Sequence, residues 1–147
     1  MTSFNDNSVQ CTFLQKPTDD QIRQIVELYR AQGWWLACDE GRNELIPNLI
    51  AGSQCFVIAT DGGIIVGMGR AISDGVSDAY IQDLTVRRDY RNKGIGKMIL
   101  KTLLERLHAD GIAWIGLIAE PGSQNLYKQA GFRTMSDAIP MLMNEEP

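Results

Sequence analysis

Histidine and cysteine are scarce in this chain, and their scarcity narrows the chemistry it can carry. His108 is the only histidine among 147 residues. It falls late in a helical pattern beside Arg106 and Asp110, so it reads as a solvated side chain, and a histidine triad or zinc site finds little support. Cys11, Cys38 and Cys55 are odd in number and widely spaced. They fit neither a metal-ligand pattern nor a disulfide framework and read as reduced, small buried hydrophobes. Nothing in the sequence requires a metal. The apolar run of roughly 18 residues needed to span a bilayer is missing, as is a basic-then-apolar leader, so the expectation is a soluble, cytoplasmic protein with no membrane partner. Basic residues are also outnumbered, 14 Lys and Arg against 18 Asp and Glu, for a net charge of −4. That balance argues against nucleic acid as a partner, because phosphate backbones need a basic face, and it suits cationic substrates.

What is present is enough for one globular domain over residues 1–147, with 44% apolar and 22% charged residues. Val9 to Leu14 reads as a short strand. Thr18 with Gln21 three residues on is a capping box, and Ile22, Ile25, Val26 and Tyr29 follow on one helical face until Gly33. A weaker helix covers Asn43 to Ala51 around Pro47. Two strand-like runs, Phe56 to Ala59 and Ile64 to Ile72, flank Asp61-Gly62-Gly63 as a hairpin, and Asp74-Gly75 turns the chain into a third strand, Ala79 to Val86. From Gly94, apolar residues Ile95, Ile99, Leu103 and Leu107 mark a helix that Gly111 closes, and Ile112 to Ile118 returns as a strand. That strand-helix-strand order implies a right-handed β-α-β unit with a locally parallel pair. Ser123 to Ala130 makes a short helix, and Phe132 to Met143 holds one or two closing strands broken near Pro140. The fold class is therefore α+β, with helices flanking a central mixed, mostly antiparallel sheet.

The strongest chemical signal is the passage from the third strand into the long helix. After Val86 comes Arg87-Arg88-Asp89-Tyr90, and then Arg91-Asn92-Lys93-Gly94-Ile95-Gly96 opens the helix. Glycines let successive N–H groups turn inward and approach a ligand closely, and the helix N-terminus adds about half a positive charge. Arg91 and Lys93 supplement that field, so a phosphate or pyrophosphate is the natural guest. A Walker loop fails on spacing, because Gly96-Lys97 runs into Met98 where Ser or Thr is needed. A dinucleotide fingerprint fails as well, because its third glycine would fall at Ile99 and its loop belongs after an early strand.

The arrangement that remains, Arg91-x-x-Gly94-x-Gly96 preceded by a strand, resembles the central motif of the GNAT (GCN5-related N-acetyltransferase) superfamily. Asp83-Leu84-Thr85-Val86 is similar to that family's central strand, and Leu126-Tyr127-Lys128-Gln129-Ala130-Gly131-Phe132 to its later L-Y-x-x-x-G-F block. The resemblance covers roughly residues 55 to 135. It implies an acetyl-CoA-dependent N-acetyltransferase. Backbone groups of Leu84 and Val86 would meet the pantetheine arm and polarise the thioester, the loop from Arg91 through Asn92, Lys93, Gly94 and Ile95 to Gly96 would hold the pyrophosphate, and Thr85 and Lys97 would also belong to the cofactor site. Tyr127 would act as general acid on the departing thiolate, against a plainer reading as a core tyrosine.

An ammonium has no lone pair, so a carboxylate must deprotonate the acceptor, and Asp83 and Glu120 are the candidates. Asp83 lies on the central strand, where partial burial would favour the base role, but it could equally accept backbone hydrogen bonds or bind the substrate ammonium. Many relatives carry, seven residues before the tyrosine, an Asn that hydrogen-bonds the pantetheine; that position here is Glu120, followed by Pro121-Gly122. Asn125 could bond the cofactor or be a solvated helix residue. Trp34 and Trp35 fall where family members line the acceptor pocket and could flank an amine through stacking or cation–π contact, or simply be buried. Asp39, Glu40, Asp74 and Asp78 could add negative potential near that pocket or be solvated turn charges.

With no serine or cysteine in a nucleophile-plus-base arrangement, the expected mechanism is direct attack by the amine in a ternary complex. The acceptor is a small-molecule or peptide amine. The resemblance also admits a homodimer. The rival from another class is a sensor or adaptor that binds acetyl-CoA without turnover, and a weaker third reading is a small-molecule phosphate binder.

Overall fold

A computed structural model of the chain describes residues 8–35 and 42–143. Cys38, Asp39 and Glu40 lie outside the described residues. Two compact units divide the chain, one up to Leu117 and one from Ile118.

The first unit opens with β1 (Val9–Phe13) and α1 (Asp19–Ala31). The capping box at the start of α1 forms: Gln21 N–H donates to Thr18 Oγ1 at 3.1 Å, and Thr18 N–H donates to Gln21 Oε1 at 2.9 Å. The helix ends in a Schellman turn. Gly33 takes φ +80, its N–H donates to Arg30 O, and Trp34 N–H donates to Tyr29 O at 3.1 Å. The accompanying apolar contact is the pair of Tyr29 and Trp34 rings, 6.0 Å apart. Helix α2 (Arg42–Gly52) retains Pro47 in its interior and buries Ile46 and Ile50.

Strands β2 (Cys55–Asp61), β3 (Ile64–Ser73) and β4 (Asp78–Val86) form the antiparallel meander that the turn residues imply. Asp74 builds the second turn, its Oδ1 accepting from the N–H groups of Val76 and Ser77, while Asp78 is exposed at the start of β4. Helix α3 (Ile95–Ala109) closes in another Schellman turn, in which Ile112 N–H donates to Leu107 O at 3.0 Å. His108 is exposed on it. β5 (Trp114–Gly116) then pairs parallel to β4, which completes a five-stranded sheet in the order β1-β2-β3-β4-β5. The fold is the mixed, mostly antiparallel sheet that the sequence implied.

Each face of the sheet has its own core. On one, α1 and α2 bury Ile25, Val26, Tyr29 and Ile46 against Phe56, Ile58 and Met68. On the other, α3 lies so close to β3 that a Cβ on Gly67 or Gly69 would come within 2.9 Å of Ile99. Cys11 is partly buried and Cys55 buried, both as free thiols.

Two expectations need correction. The strand over Ile112 to Ile118 contracts to three residues, because Ile112 is used to close α3 and pairing with β4 extends only from Asp78 to Tyr80. The closing strands over Phe132 to Met143 do not form. The second unit holds α4 (Gln124–Gln129) and then irregular chain. Pro140 lacks an N–H for a ladder, and Ile139, Met141, Leu142 and Met143 are 83–95% exposed, so the alternation has no buried face to satisfy.

Candidate functional site

The site is organised by a bulge in β4. Gln82 lies opposite Arg70 and Thr85 opposite Met68, so Gly69 faces both Asp83 and Leu84. Asp83 takes φ +58, one of two non-glycine residues with positive φ among those described. Aspartate tolerates this left-handed region better than most residues. Two contacts hold it there: Oδ2 accepts from Arg70 Nε at 2.6 Å and from the Tyr29 hydroxyl at 2.7 Å. The Arg70–Asp83 pair is 15% and 21% exposed. Burial first, and then the neighbouring Asp83 charge, push the Tyr29 phenol well above its ordinary range, so it remains a donor. Trp35 stacks on Tyr29 at 4.1 Å and 9°, and Trp34 and Trp35 both pack against the α1 core. Arg70 and Tyr29 were not singled out from sequence. Their signal is weak, because an arginine inside an apolar strand and a tyrosine on a core helix face find each other only through the fold.

β4 parts from β5 before the bulge. The parallel pairing stops at Tyr80, and Arg87 N–H donates to Val66 O at 2.7 Å on the β3 side. Backbone groups alternate along a strand, so those of Leu84 and Val86 point to the opposite, opened edge. Val86 O confirms the phase by accepting from Arg91 Nε at 2.9 Å. Thr85 points the other way. It is buried, and its hydroxyl donates to Gln32 Oε1 at 2.8 Å.

The opened edge runs into the glycine loop. A short 3-10 turn, Arg88–Tyr90, leads to Arg91 and to Asn92 with φ +63. Gly94 follows as the N-cap of α3 in the left-handed conformation, with no side-chain cap and no acidic residue in the first turn. The first N–H groups of α3 therefore keep their anion-binding capacity. Ile95 turns its side chain into the core, Gly96 is partly buried, and Asn92, Lys93, Gly94 and Lys97 are exposed. Lys93 Nζ lies 5.3 Å from the centre of the Tyr90 ring, and Tyr90 donates to Asp61 at 2.7 Å. Arg87, Arg88, Arg91, Lys93 and Lys97 thus concentrate positive charge within a chain of net charge −4. A cleft of about 270 Å³ opens here, lined by Gln32, Thr85, Val86, Arg87, Arg88 and Arg91 among others.

In the second unit the L-Y-x-x-x-G-F block is one local device. Gly131 takes φ +103 after α4, and Phe132 folds back so that its N–H donates to Tyr127 O at 3.0 Å and its ring meets Tyr127 edge-on at 5.9 Å. Burial, followed by the Glu120 charge, raises the Tyr127 phenol above its ordinary value. Glu120 is exposed and opens a turn in which Ser123 N–H donates to Glu120 O at 3.0 Å, with Pro121 and Gly122 (φ +89) at the two positions that suit them. Asn125 is exposed on α4.

Known proteins share this fold. A GNAT-family acetyltransferase from Streptococcus pneumoniae superposes with a TM-score of 0.76 at 26% identity, covering 94% of this chain and 99% of its own. A predicted acetyltransferase from Clostridium acetobutylicum, solved with acetyl-CoA, has a TM-score of 0.72 at 17% identity, covering 91% of this chain and 96% of its own, and shows the shared fold alone. In sequence, an uncharacterized N-acetyltransferase ycf52 of Gracilaria tenuistipitata var. liui is 31% identical over 64% of this chain and 52% of its own length. Serotonin N-acetyltransferase 2, chloroplastic, of Oryza sativa subsp. japonica is 32% identical over 55% of this chain and 40% of its own. The chain thus spans about half the length, or less, of these two curated relatives. The acetyltransferase (GNAT) domain model matches residues 21–140, and on that match the chain belongs to the GNAT acetyltransferase family.

Proposed function

We propose that this protein transfers an acetyl group from acetyl-CoA to a primary amine by direct attack within a ternary complex. The observation that carries this reading is the β4 edge. It presents Leu84 and Val86 backbone groups where β5 no longer pairs, and it leads through the Arg88–Tyr90 turn to a helix N-terminus at Gly94 that no side chain caps. An amide-bearing arm ending in a pyrophosphate fits that sequence of groups. The residues from Arg91 to Lys97 would hold the pyrophosphate, and the backbone groups of Leu84 and Val86 would line the arm, whereas Thr85, turned toward Gln32, would not. The donor supplies the activated thioester, and the protein supplies alignment and N–H groups directed at the developing oxyanion.

Tyr127 protonates the leaving sulfur. Its raised pKa keeps the phenol protonated through neutral pH, as a general acid requires. Asp83 and Glu120 both offer a carboxylate as base. The contacts of Asp83 with Arg70 and Tyr29 commit it to holding the bulge, which favours Glu120 as the proton acceptor. The acceptor is a small-molecule or peptide amine, a class to which the serotonin of the rice relative's name belongs.

Calorimetric titration of the purified protein with acetyl-CoA, desulfo-CoA and ADP tests the donor site. A thiol-release assay over a panel of primary amines then tests transfer. Binding that depends on the pantetheine arm, followed by amine-dependent thiol release, is the expected result. ADP binding as tight as acetyl-CoA would mark a phosphate binder, tight donor binding without thiol release from any amine a sensor, and no binding would remove the reading.

A further inference from the structure

Three elements meet at one oxygen. Gln32, the C-cap of α1, accepts through Oε1 from Thr85 Oγ1 at 2.8 Å and from Arg91 Nη2 at 3.0 Å. Arg91 is held a second time by its Nε–H to Val86 O at 2.9 Å. The first residue of the glycine loop is thus clamped by the open edge of β4 and by the end of α1, at the wall of the arginine-lined cleft. A guanidinium is a planar fork of five donors. Fixing one Nη and the Nε in this way sets the plane of the fork and leaves the Nη1 donors available to an oxyanion.

We propose that Gln32 is a positioning residue, which orients Arg91 toward the pyrophosphate of the donor and ties the donor loop to the end of α1. This rests on the donor site proposed above. Gln32 itself need not touch the donor, since it acts through the arginine. Gly33 and the backbone bonds of Trp34 and Trp35 to Tyr29 O pin the chain directly after it, and the Thr85 hydroxyl holds the carboxamide itself independently of Arg91. Without the carboxamide, Arg91 keeps its charge and loses one of the two contacts that aim it.

The test compares wild-type protein with Gln32→Met, Arg91→Met and the double variant, using acetyl-CoA and S-acetylpantetheine, a donor that lacks the pyrophosphate. Gln32→Met is expected to raise the KM for acetyl-CoA roughly 5- to 30-fold, the range for losing one hydrogen bond to a charged group at a partly exposed site, with kcat within about twofold. Turnover of S-acetylpantetheine should be unchanged. In the Arg91→Met background, Gln32→Met should add less than about twofold, because the two side chains act as one unit. An equal loss with both donors would mean that Gln32 only holds β4 in place, and additive losses would mean that it does not act through Arg91; either overturns the proposal. Wild-type protein that binds no acetyl-CoA would remove the donor site itself. Wild-type binding with an unaltered Gln32→Met variant would remove only the role of Gln32.

Discussion

Replacing Arg70 with methionine leaves the Asp83 carboxylate without its ion-pair partner, and the structure sets the size of the effect. Exposed ion pairs contribute about 0–1 kcal/mol, whereas removing one partner of a buried pair costs about 3–5 kcal/mol. At 15% and 21% exposure, with a 2.6 Å contact, Arg70 and Asp83 lie nearer the buried limit. Discounting for the remaining solvent gives a loss of about 2–3 kcal/mol, or roughly 5–10 °C in Tm for a chain of this length. Asp83→Asn retains tolerance of positive φ and an acceptor for the Tyr29 hydroxyl while removing the charge. The double variant Arg70→Met with Asp83→Asn should therefore be more stable than the two single losses added together, by about 1.5 kcal/mol or more. Urea unfolding followed by far-UV circular dichroism on the four proteins closes the cycle. If the single losses add to within about 0.5 kcal/mol, the pair is screened by solvent and does not hold the bulge.

Three further perturbations address other parts of the chain. Gly94→Val places a β-branched residue at φ +80; titration should show acetyl-CoA affinity reduced at least tenfold, with about 1–2 kcal/mol of stability lost. Thr18→Ala removes the hydroxyl that accepts from Gln21 N–H, while its own backbone N–H can still donate to Gln21 Oε1, and should lower stability by about 1 kcal/mol in chemical unfolding while leaving acetyl-CoA affinity unchanged. Tyr127→Phe should lower kcat about a hundredfold or more. Because the phenol is active when protonated and its pKa is raised above 10, the wild-type rate should hold through neutral pH and fall only in strong alkali, so turnover that survives Tyr127→Phe at every pH would refute the general-acid role.

Much of the fold was legible because its signals are local. The Thr18 and Gln21 cap, the Gly33 and Gly111 helix ends, the Gly62-Gly63 turn and the four-residue apolar spacing of α3 each need only a few neighbouring residues, and each appears where the sequence implies it. The glycine loop was legible for the same reason. The side chains that organise the site were not, because they depend on pairings across long separations. Tyr29 and Asp83 are 54 residues apart, and Gln32 and Arg91 are 59 apart. The closing strands failed for the complementary reason: alternation over Phe132 to Met143 specifies a strand only where a sheet edge and a buried face receive it.

The bulge at Asp83 links these local and distant features. Up to Gln82, β4 alternates regularly, with Gln82 sharing the face of Arg70 and Tyr29. A regular continuation would turn Asp83 to the opposite face, toward Gly69 and the apolar side chains of Ile99 and Leu103, where a carboxylate would lose its water without gaining a partner. The extra residue keeps Asp83 on the Arg70 side and turns Leu84 onto α3. It also increases the local twist, as bulges do, three residues past Tyr80, where β4 and β5 cease to pair. One left-handed residue therefore satisfies a charge and fills the α3 core beside the strand edge on which the donor site is proposed. Its sequence trace is small: in Ala79-Tyr80-Ile81-Gln82-Asp83-Leu84-Thr85, two polar residues stand together where the alternation calls for one.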